Sequence, residues 1–417
     1  MSTSGALARR LGLGDAVMIG LGSMIGAGIF SVFAPAASAA GSWLLAGLAI
    51  AAVVAFCNAT SSAQLAATYP SSGGTYLYAR EQLGDWWGFA AGWSFVIGKT
   101  ASCAAMALTF ATYAAPPGWT KPVAVVAVVA LATVNYFGVT RTAQLTRIIV
   151  VLVLAVLAVV VAAEATAWNA APTSGAVDTT LYGVLQSAGL LFFAFAGYAR
   201  IATMGEEVRS PERTIPAAIG IALGIAVVVY AAVGIVALGS LGPSALAASP
   251  APLRDVVAAA GWAWSVPVVR VGGALASLGA LLALIAGIGR TAFAMARERD
   301  LPRMLSAVHP RWHVPHRAEI TLAAVIVILV LTVDLRSAIG FSSFGVLLYY
   351  FIANLAAFTQ LPDRRRFPRG LQLLGMLGCA VLALTLPLAG VAVGVLVVAV
   401  GLAVRALRLR NDRRGAA

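Results

Sequence analysis

Charged side chains are scarce in this sequence. They make up 10% of the 417 residues, and only 15 residues are Asp or Glu, whereas hydrophobic residues make up 61%. A soluble domain carries about 25% charged residues, so the composition excludes a water-exposed surface of this size. Runs of roughly 20 apolar residues recur along the chain, and each is long enough to cross a bilayer. The composition is therefore typical of an all-α polytopic membrane protein.

Cysteine and histidine are also rare, with three residues of each. Cys57, Cys103 and Cys379 fall inside apolar runs, which is typical of small buried side chains and not of a disulfide framework. The histidines share the loop at 309–316, where metal binding is the alternative and a solvated loop is favoured. We therefore expect neither a metal nor a cofactor.

The apolar runs predict twelve membrane-spanning helices, numbered span 1 to span 12. Their expected bounds are 14–36, 43–66, 86–113, 121–138, 146–167, 181–203, 216–240, 266–290, 318–334, 338–360, 370–386 and 388–407. Pro387 divides the last two, because the uncharged stretch 371–404 is too long for one helix. The first apolar run, from Leu13, is itself a span and not a cleavable signal peptide.

Lysine and arginine are distributed unevenly between the loops. If the N-terminus is cytoplasmic, 22 of the 28 basic residues lie in cytoplasmic segments, while Lys99 and Arg200 lie within spans. The other four lie outside: Lys121, Arg254, Arg270 and Arg336. The positive-inside rule then places both termini in the cytoplasm and supports an even number of spans. The net charge of +13 belongs to these loops, so we expect the lipid bilayer, and no nucleic acid, as a partner.

Four glycines fall within nine residues of span 1: Gly20, Gly22, Gly26 and Gly28. Each destabilises a helix by up to about 1 kcal/mol relative to alanine. A phosphate-binding glycine loop is disfavoured because no strand precedes the segment, and close helix packing through small residues is an alternative that can coexist. Non-helical backbone at membrane depth occurs only where it lines a cavity or is buried in protein. The pattern therefore predicts an unwound segment that can hold the charged groups of a solute.

Span 6 has a matching irregularity, in which the aromatic cluster Phe192, Phe193 and Phe195 precedes Gly197 and Arg200. Spans 1 and 6 each open a set of five spans. Interrupted helices at corresponding positions of two halves are the best sequence indication of a transporter site. Because five is an odd number, the second set must be inverted in the membrane relative to the first.

At these residues the chain resembles the amino acid–polyamine–organocation (APC) superfamily of permeases. The matching segments run from Ile19 to Phe30 in span 1, from Tyr69 to Glu81 after span 2, and from Phe192 to Pro216. The resemblance covers approximately residues 11–360. It implies a leucine-transporter-type fold of 5+5 inverted repeats, alternating access by rocking of a helix bundle, and a central site between spans 1 and 6.

The resemblance also implies how the chain is divided. We expect a cytoplasmic N-terminal tail at 1–12 and a first five-helix repeat at 13–167. A second, inverted repeat is expected at 181–360 and two additional helices at 370–407. A basic cytoplasmic tail at 408–417 ends the chain.

The resemblance assigns substrate binding to the two interruptions. The residues are Ser23, Met24, Ile25, Gly26, Ala27, Gly28, Phe192, Phe193, Phe195, Ala196 and Gly197. The α-carboxylate of an amino acid would meet the backbone from Ser23 to Gly28. Its α-amine would meet carbonyl groups near Met24 and in the stretch 192–196. Phe193 and Phe195 would support its side chain, with ordinary packing between spans as the alternative.

Lys99 lies about halfway through span 3, and Ser102 follows it on the same helix. A charged lysine at mid-bilayer costs a few kcal/mol on insertion scales, so it should be neutral, paired or facing water. One hypothesis makes it a proton-coupling or substrate-sensing group. The other makes it a structural cation that donates to carbonyl groups of the broken helices. The span-5 lysine of many relatives is Val153 here, so the role of that lysine cannot be transferred.

Arg200 lies just beyond the interruption of span 6. It could pair with Glu206 or Glu207 as an inner gate, or it could cap a half-helix end, where a cation is favoured. A gating or structural role is favoured over direct contact with the substrate.

The sequence favours a secondary transporter over an enzyme, a channel or a sensor. An enzyme needs titratable groups that converge at one depth, and the spans supply only Lys99 and Arg200. We expect proton-coupled uptake of neutral amino acids across the inner membrane. Amino acid exchange and transport of polyamines or organic cations are the alternatives, and the sequence does not indicate the oligomeric state.

Overall fold

The computed structural model describes residues 11–69, 73–138, 143–167, 179–205, 207–312 and 314–414. Helices dominate the described chain. They are α1 (Leu13–Met24), α2 (Ala27–Ser31), α3 (Phe33–Ala40), α4 (Leu44–Thr68), α5 (Gly74–Leu83), α6 (Asp85–Ala114), α7 (Thr120–Tyr136), α8 (Ala143–Ala167), α9 (Leu181–Phe195), α10 (Ala199–Ala202), α11 (Pro211–Ala248), α12 (Pro252–Ala259), α13 (Val266–Arg297), α14 (His316–Thr332), α15 (Leu335–Phe358), α16 (Arg369–Thr385) and α17 (Leu388–Arg414).

The prediction of an all-helical membrane protein with twelve spans is confirmed. Within the described residues, nine helical stretches are long and apolar enough to cross a membrane, and α7 and α16 are shorter apolar helices. The 17-residue helix α14 supplies the remaining span. Span 1 comprises α1 to α3 and span 6 comprises α9 and α10; the other spans are α4, α6, α7, α8, α11 and α13 to α17. Spans 7, 8 and 12 are longer than predicted, because α11, α13 and α17 continue beyond their apolar cores. Helix α17 ends at Arg414, so part of the tail expected at 408–417 is helical.

Two short helices were not predicted. Helix α5 has 10 residues and α12 has 8, so neither is long enough to appear as a membrane span. Helix α12 buries Leu253, Val256 and Val257 and exposes its opposite face. A hydropathy search for long apolar runs does not detect helices as short as these.

The predicted interruption of span 1 is confirmed, but it is shorter than the glycine content indicates. Helix α1 continues to Met24, and only Ile25 (φ −82°, ψ 47°) and Gly26 (φ −97°, ψ −137°) separate it from α2. Gly20 lies within α1, where a β-carbon would overlap the side chain of Ile201. The interruption is therefore confined to Ile25 and Gly26, while Gly20 serves the close packing between spans 1 and 6 that was the coexisting alternative.

The interruption of span 6 is a tightened turn. Helix α9 ends at Phe195, residues Ala196–Tyr198 form a 3₁₀ turn, and the single-turn helix α10 follows. A 3₁₀ segment shifts the hydrogen bonding from the i−4 to the i−3 carbonyl group. Span 6 therefore changes its helical geometry beside the interruption of span 1 without fully unwinding.

Helix α6, which carries Lys99, lies at the centre of the bundle and packs chiefly against α13 and α15. Two glycines lie face to face in its contact with α15. A β-carbon on Gly345 would lie 2.8 Å from the Cα atom of Gly98. The absence of both side chains therefore lets the two backbones touch at the level of Lys99.

Charged residues gather at one face of the bundle, which we call the arginine-rich face. There Asp300 contacts Arg80 and Arg405, and Arg80 also contacts Asp85 and Glu298. These residues come from loops that the twelve-span topology places on the same side, so the parity of the spans is confirmed. The cytoplasmic location of this face stays a prediction, as do the domain boundaries.

Candidate functional site

The two interruptions touch each other through glycines. A β-carbon on Gly197 would overlap the backbone of Ser23 and Met24, and a β-carbon on Gly28 would lie 2.8 Å from the Cα atom of Ala194. Backbone atoms cannot move aside as a flexible side chain can. Only glycine is therefore compatible with this contact, and the predicted meeting of spans 1 and 6 is a direct backbone contact.

Tyr230 of span 7 connects the two interruptions. Its hydroxyl oxygen lies 2.6 Å from the carbonyl oxygen of Met24 and 2.9 Å from that of Ala194. The side chain is 1% exposed. A hydroxyl has one proton, so it can donate to only one of these carbonyl groups at a time. The sequence analysis missed Tyr230, because a single tyrosine within an apolar run is indistinguishable from ordinary packing.

Lys99 contacts the interruption of span 6. Its Nζ atom donates a hydrogen bond to the carbonyl oxygen of Ala196 at 3.0 Å, and the side chain is 6% exposed. This contact is the one expected if Lys99 is a structural cation that donates to carbonyl groups of the broken helices. It also places a titratable amine against the predicted substrate site, as the coupling hypothesis requires. The geometry is compatible with both hypotheses.

Ser102 lies in the contact between α6 and α15. Its hydroxyl group is 2.6 Å from that of Ser342, and either can donate, while a longer bond of 3.3 Å runs from Ser102 to the carbonyl oxygen of Gly98. The two serines are buried. Spans 3 and 10 therefore share a polar contact close to Lys99 in sequence.

The aromatic side chains of span 6 are buried in a cluster with tyrosines. Phe192 packs edge-on against Tyr350 with ring centroids 5.8 Å apart, and Phe195 packs against Tyr230 at 4.9 Å. Phe193 is also buried. These contacts show what the rings touch in the folded chain, and the assignment of Phe193 and Phe195 to the substrate stays a prediction.

The remaining predicted residues of span 1 lie at or beside its interruption. Ser23 donates to the carbonyl oxygen of Ile19 at 3.0 Å, so its hydroxyl group is already engaged. Ile25 and Ala27 are buried. A β-carbon on Gly26 would lie 2.8 Å from the Cβ atom of Ala280 in span 8. Span 8 therefore packs directly against the interruption of span 1.

Val153 borders a small cavity beside the same interruption. The cavity measures about 10 Å³ and lies between α1, α8 and α13. Its lining includes Gly22, Ile25, Thr146, Val150, Val153 and Ala280. A cavity of this size holds about one water molecule. Span 5 thus reaches the interruption with an aliphatic side chain at the position where the resemblance places a lysine.

Arg200 is held near the end of span 6. Its Nη1 atom donates to the Thr203 hydroxyl group at 3.0 Å, and Nη2 lies 4.0 Å from a carboxylate oxygen of Glu207. Arg290 of span 8 lies 4.0 Å from the same carboxylate. Glu206, the alternative partner, lies outside the described residues. Glu207 therefore links the end of span 6 to span 8 at the arginine-rich face.

The same corner also contacts the start of the described chain. The amide of Leu11 donates to the carbonyl oxygen of Glu207 at 3.1 Å, and the amide of Arg209 donates to that of Leu11 at 2.9 Å. At the start of span 1, Asp15 pairs with Arg147 at 2.7 Å. The segment before span 1 is therefore fixed to the loop after span 6.

Two interrupted helices that meet through glycines, inside a bundle of twelve spans, define a multi-pass membrane transporter. The family model described as amino acid permease matches residues 11–407. The chain belongs to this family, within the APC superfamily that its sequence resembles. Among the described residues, no group of three His, Cys, Asp or Glu side chains is placed to hold a metal ion.

Similar chains from other organisms are also transporters. An uncharacterized transporter of Mycobacterium tuberculosis is 59% identical over 410 residues, covering 98% of this chain and 93% of the relative. A branched-chain amino acid permease of Bacillus subtilis is 25% identical over 393 residues, covering 88% and 84%. A cationic amino acid transporter of Arabidopsis thaliana is 26% identical over 375 residues, covering 82% and 64%.

Proposed function

We propose that this protein is a secondary active permease that moves amino acids across the membrane by alternating access. The observation that carries the proposal is the contact between the two interruptions. Their carbonyl oxygens at Met24 and Ala194 share the single hydroxyl proton of Tyr230, and that at Ala196 accepts a hydrogen bond from Lys99. The ammonium group of an amino acid can donate to these carbonyl groups in place of Tyr230 or Lys99. We therefore propose that the carbonyl groups bind the substrate ammonium group.

Neutral amino acids are the proposed substrates. The side chains around the interruptions are aromatic or aliphatic, including Phe193, Phe195 and Ile25, and they suit an apolar substrate side chain. The branched-chain permease among the relatives supports this choice. The cationic amino acid transporter is an equally distant relative, so family membership alone does not select the substrate.

Proton symport is the proposed mode of energy coupling. Lys99 is a titratable group in direct contact with the interruption of span 6. Val153 supplies no charge at the first interruption, which leaves Lys99 as the candidate for coupling. Exchange of one amino acid for another is the second candidate. If the lysine held on the Ala196 carbonyl group acts as a fixed structural cation, it does not couple transport to protons.

The proposed location is the cytoplasmic membrane with both termini inside. The segments on the side of the arginine-rich face hold 22 of the 28 Lys and Arg residues, which supports this orientation through the positive-inside rule. With it we retain the proposed division into a first repeat at 13–167, an inverted repeat at 181–360 and two further helices at 370–407.

Uptake into proteoliposomes tests the proposal. Labelled L-leucine, L-alanine and a panel of other amino acids would be supplied with and without an inward proton gradient. We expect saturable uptake of neutral amino acids that rises with the gradient in the wild type and in Lys121→Met. In Lys99→Met we expect uptake to persist but to lose its response to the gradient. Uptake that ignores the gradient and requires internal amino acid would identify an exchanger. Folded protein that transports no amino acid would refute the proposed substrate class.

A further inference from the structure

We infer that Lys99 is a charge filter that excludes cationic amino acids from the central site. This inference rests on the proposed amino acid transport and adds a specificity determinant to it. Lys99 reaches from span 3 to the Ala196 carbonyl group of the interrupted span 6. Any substrate whose ammonium group uses the carbonyl groups of this interruption must therefore bind beside the lysine.

The charge of Lys99 has no acidic partner in the described chain. The ion pairs of the described residues do not include Lys99. The titratable side chain one turn further along α6 is Cys103, and a thiol is mostly uncharged at neutral pH. With only 6% of its surface exposed, the lysine is also shielded from water. Protonated Lys99, which the hydrogen bond to the Ala196 carbonyl group favours, is therefore balanced by no acidic side chain of the described residues. The carboxylate of a bound substrate is the counter-charge available to it.

The net charge of the substrate then decides how well it binds. A neutral amino acid brings one carboxylate for its one ammonium group, so the occupied site holds a single excess positive charge. An amino acid with a cationic side chain adds a second one, and burying an unpaired charge is costly. Two unit charges about 6 Å apart, at an effective dielectric constant of about 20, repel each other by an energy equivalent to roughly 100-fold in affinity.

The chain offers a matched control, because Lys99 and Lys121 are its only lysines. Lys121 is exposed and donates to the Leu331 carbonyl group on a different part of the bundle. Lys121→Met therefore removes the same charge from the protein without touching the interruptions. Lys99→Arg keeps the charge at the site, and Lys99→Gln removes it while keeping a hydrogen-bond donor.

The test measures inhibition of labelled L-leucine uptake by L-arginine and by L-citrulline, which is similar in size but uncharged. We expect arginine to inhibit the wild type, Lys121→Met and Lys99→Arg at least 10-fold more weakly than citrulline. In Lys99→Met or Lys99→Gln, the inhibition constant of arginine should fall at least 10-fold while that of citrulline changes less than threefold.

Two results would overturn the inference. The first is a wild type that binds arginine as tightly as citrulline, a measurement that needs no variant. The second is a folded Lys99→Met or Lys99→Gln protein that still transports leucine and rejects arginine as strongly as the wild type. Both leave amino acid transport standing, whereas absence of uptake for every amino acid refutes the proposed function itself.

Discussion

Gly197 of span 6 lies against Ser23 of span 1 so closely that a β-carbon would overlap the Ser23 carbonyl group. The contact joins backbone to backbone at the level where both helices are interrupted. Spans 1 and 6 are therefore held at a separation that the smallest residue alone permits. Since the proposed substrate site lies between these spans, the same contact fixes its dimensions.

Gly197→Ala is expected to disturb both stability and transport. Overpacking a tight contact typically costs about 1–3 kcal/mol, and here the obstacle is backbone that cannot rotate away. We expect a lower thermal-unfolding midpoint in detergent and at least a 10-fold loss of leucine uptake. Gly220→Ala on α11 is the control, because nothing lies within 4 Å of a β-carbon at that position. Equal behaviour of the two variants would contradict the close contact.

Tyr230→Phe tests the bridge between the interruptions. The variant removes the Tyr230 hydroxyl group, so the carbonyl groups of Met24 and Ala194 lose the donor that they share. An unsatisfied buried polar group costs about 1–3 kcal/mol. We expect a reduced unfolding midpoint and a higher KM for leucine, measured by thermal unfolding and by uptake. Tyr182→Phe, at a side chain that is 46% exposed, should leave both quantities unchanged.

Hydropathy was sufficient to predict the spans, because a membrane helix must be apolar along most of its length. Most helix ends fall within a few residues of the predicted bounds, and α16 ends and α17 begins on either side of Pro387, as predicted. The exceptions are informative. Helices α5 and α12 are too short to appear as spans, and the ends of α11, α13 and α17 extend past their apolar cores.

The position of the interruptions was predictable, but their contacts were not. Glycine content indicated where span 1 would break, since glycine weakens a helix. It could not show that Gly20 makes room for Ile201 while Gly26 belongs to the break. Likewise, the depth of Lys99 follows from sequence, whereas its partner Ala196 and the bridging Tyr230 depend on how distant helices pack.

Glu207→Gln tests the ion pairs near the end of span 6. Its contacts with Arg200 and Arg290 are 4.0 Å long, and the three side chains are 28%, 29% and 57% exposed, respectively. Exposed pairs of this kind contribute about 0.2–1 kcal/mol. We therefore expect an unfolding midpoint within a few degrees of the wild type, and any larger effect should appear in the uptake rate. A large loss of stability would contradict the view that the contacts of Glu207 with Arg200 and Arg290 are weak and act as a gate.

Asp300 forms a contrasting cluster at the same face. Its carboxylate contacts the guanidinium groups of Arg80 and Arg405 at 3.1 Å each and accepts a hydrogen bond from Tyr76 at 2.9 Å. Asp300 is 5% exposed and Arg405 is 7% exposed. Arg405 also lies over the rings of Trp86 and Phe89, 4.9 Å from each centroid. Span 12 (α17) therefore contacts the start of α6 and the loop after α13 through the buried side chain of Arg405.

Asp300→Asn is expected to destabilise the protein far more than Glu207→Gln, because it leaves Arg405 buried without its counter-charge. Breaking a buried ion pair by removing one partner costs about 3–5 kcal/mol. We expect a clear fall in the unfolding midpoint, while Asp363→Asn, at an exposed position, should have little effect. Adding Arg405→Met to Asp300→Asn should recover part of the loss, since the unpaired charge is removed. If the double variant is as unstable as the two single losses added together, the pair contributes through packing and not through charge.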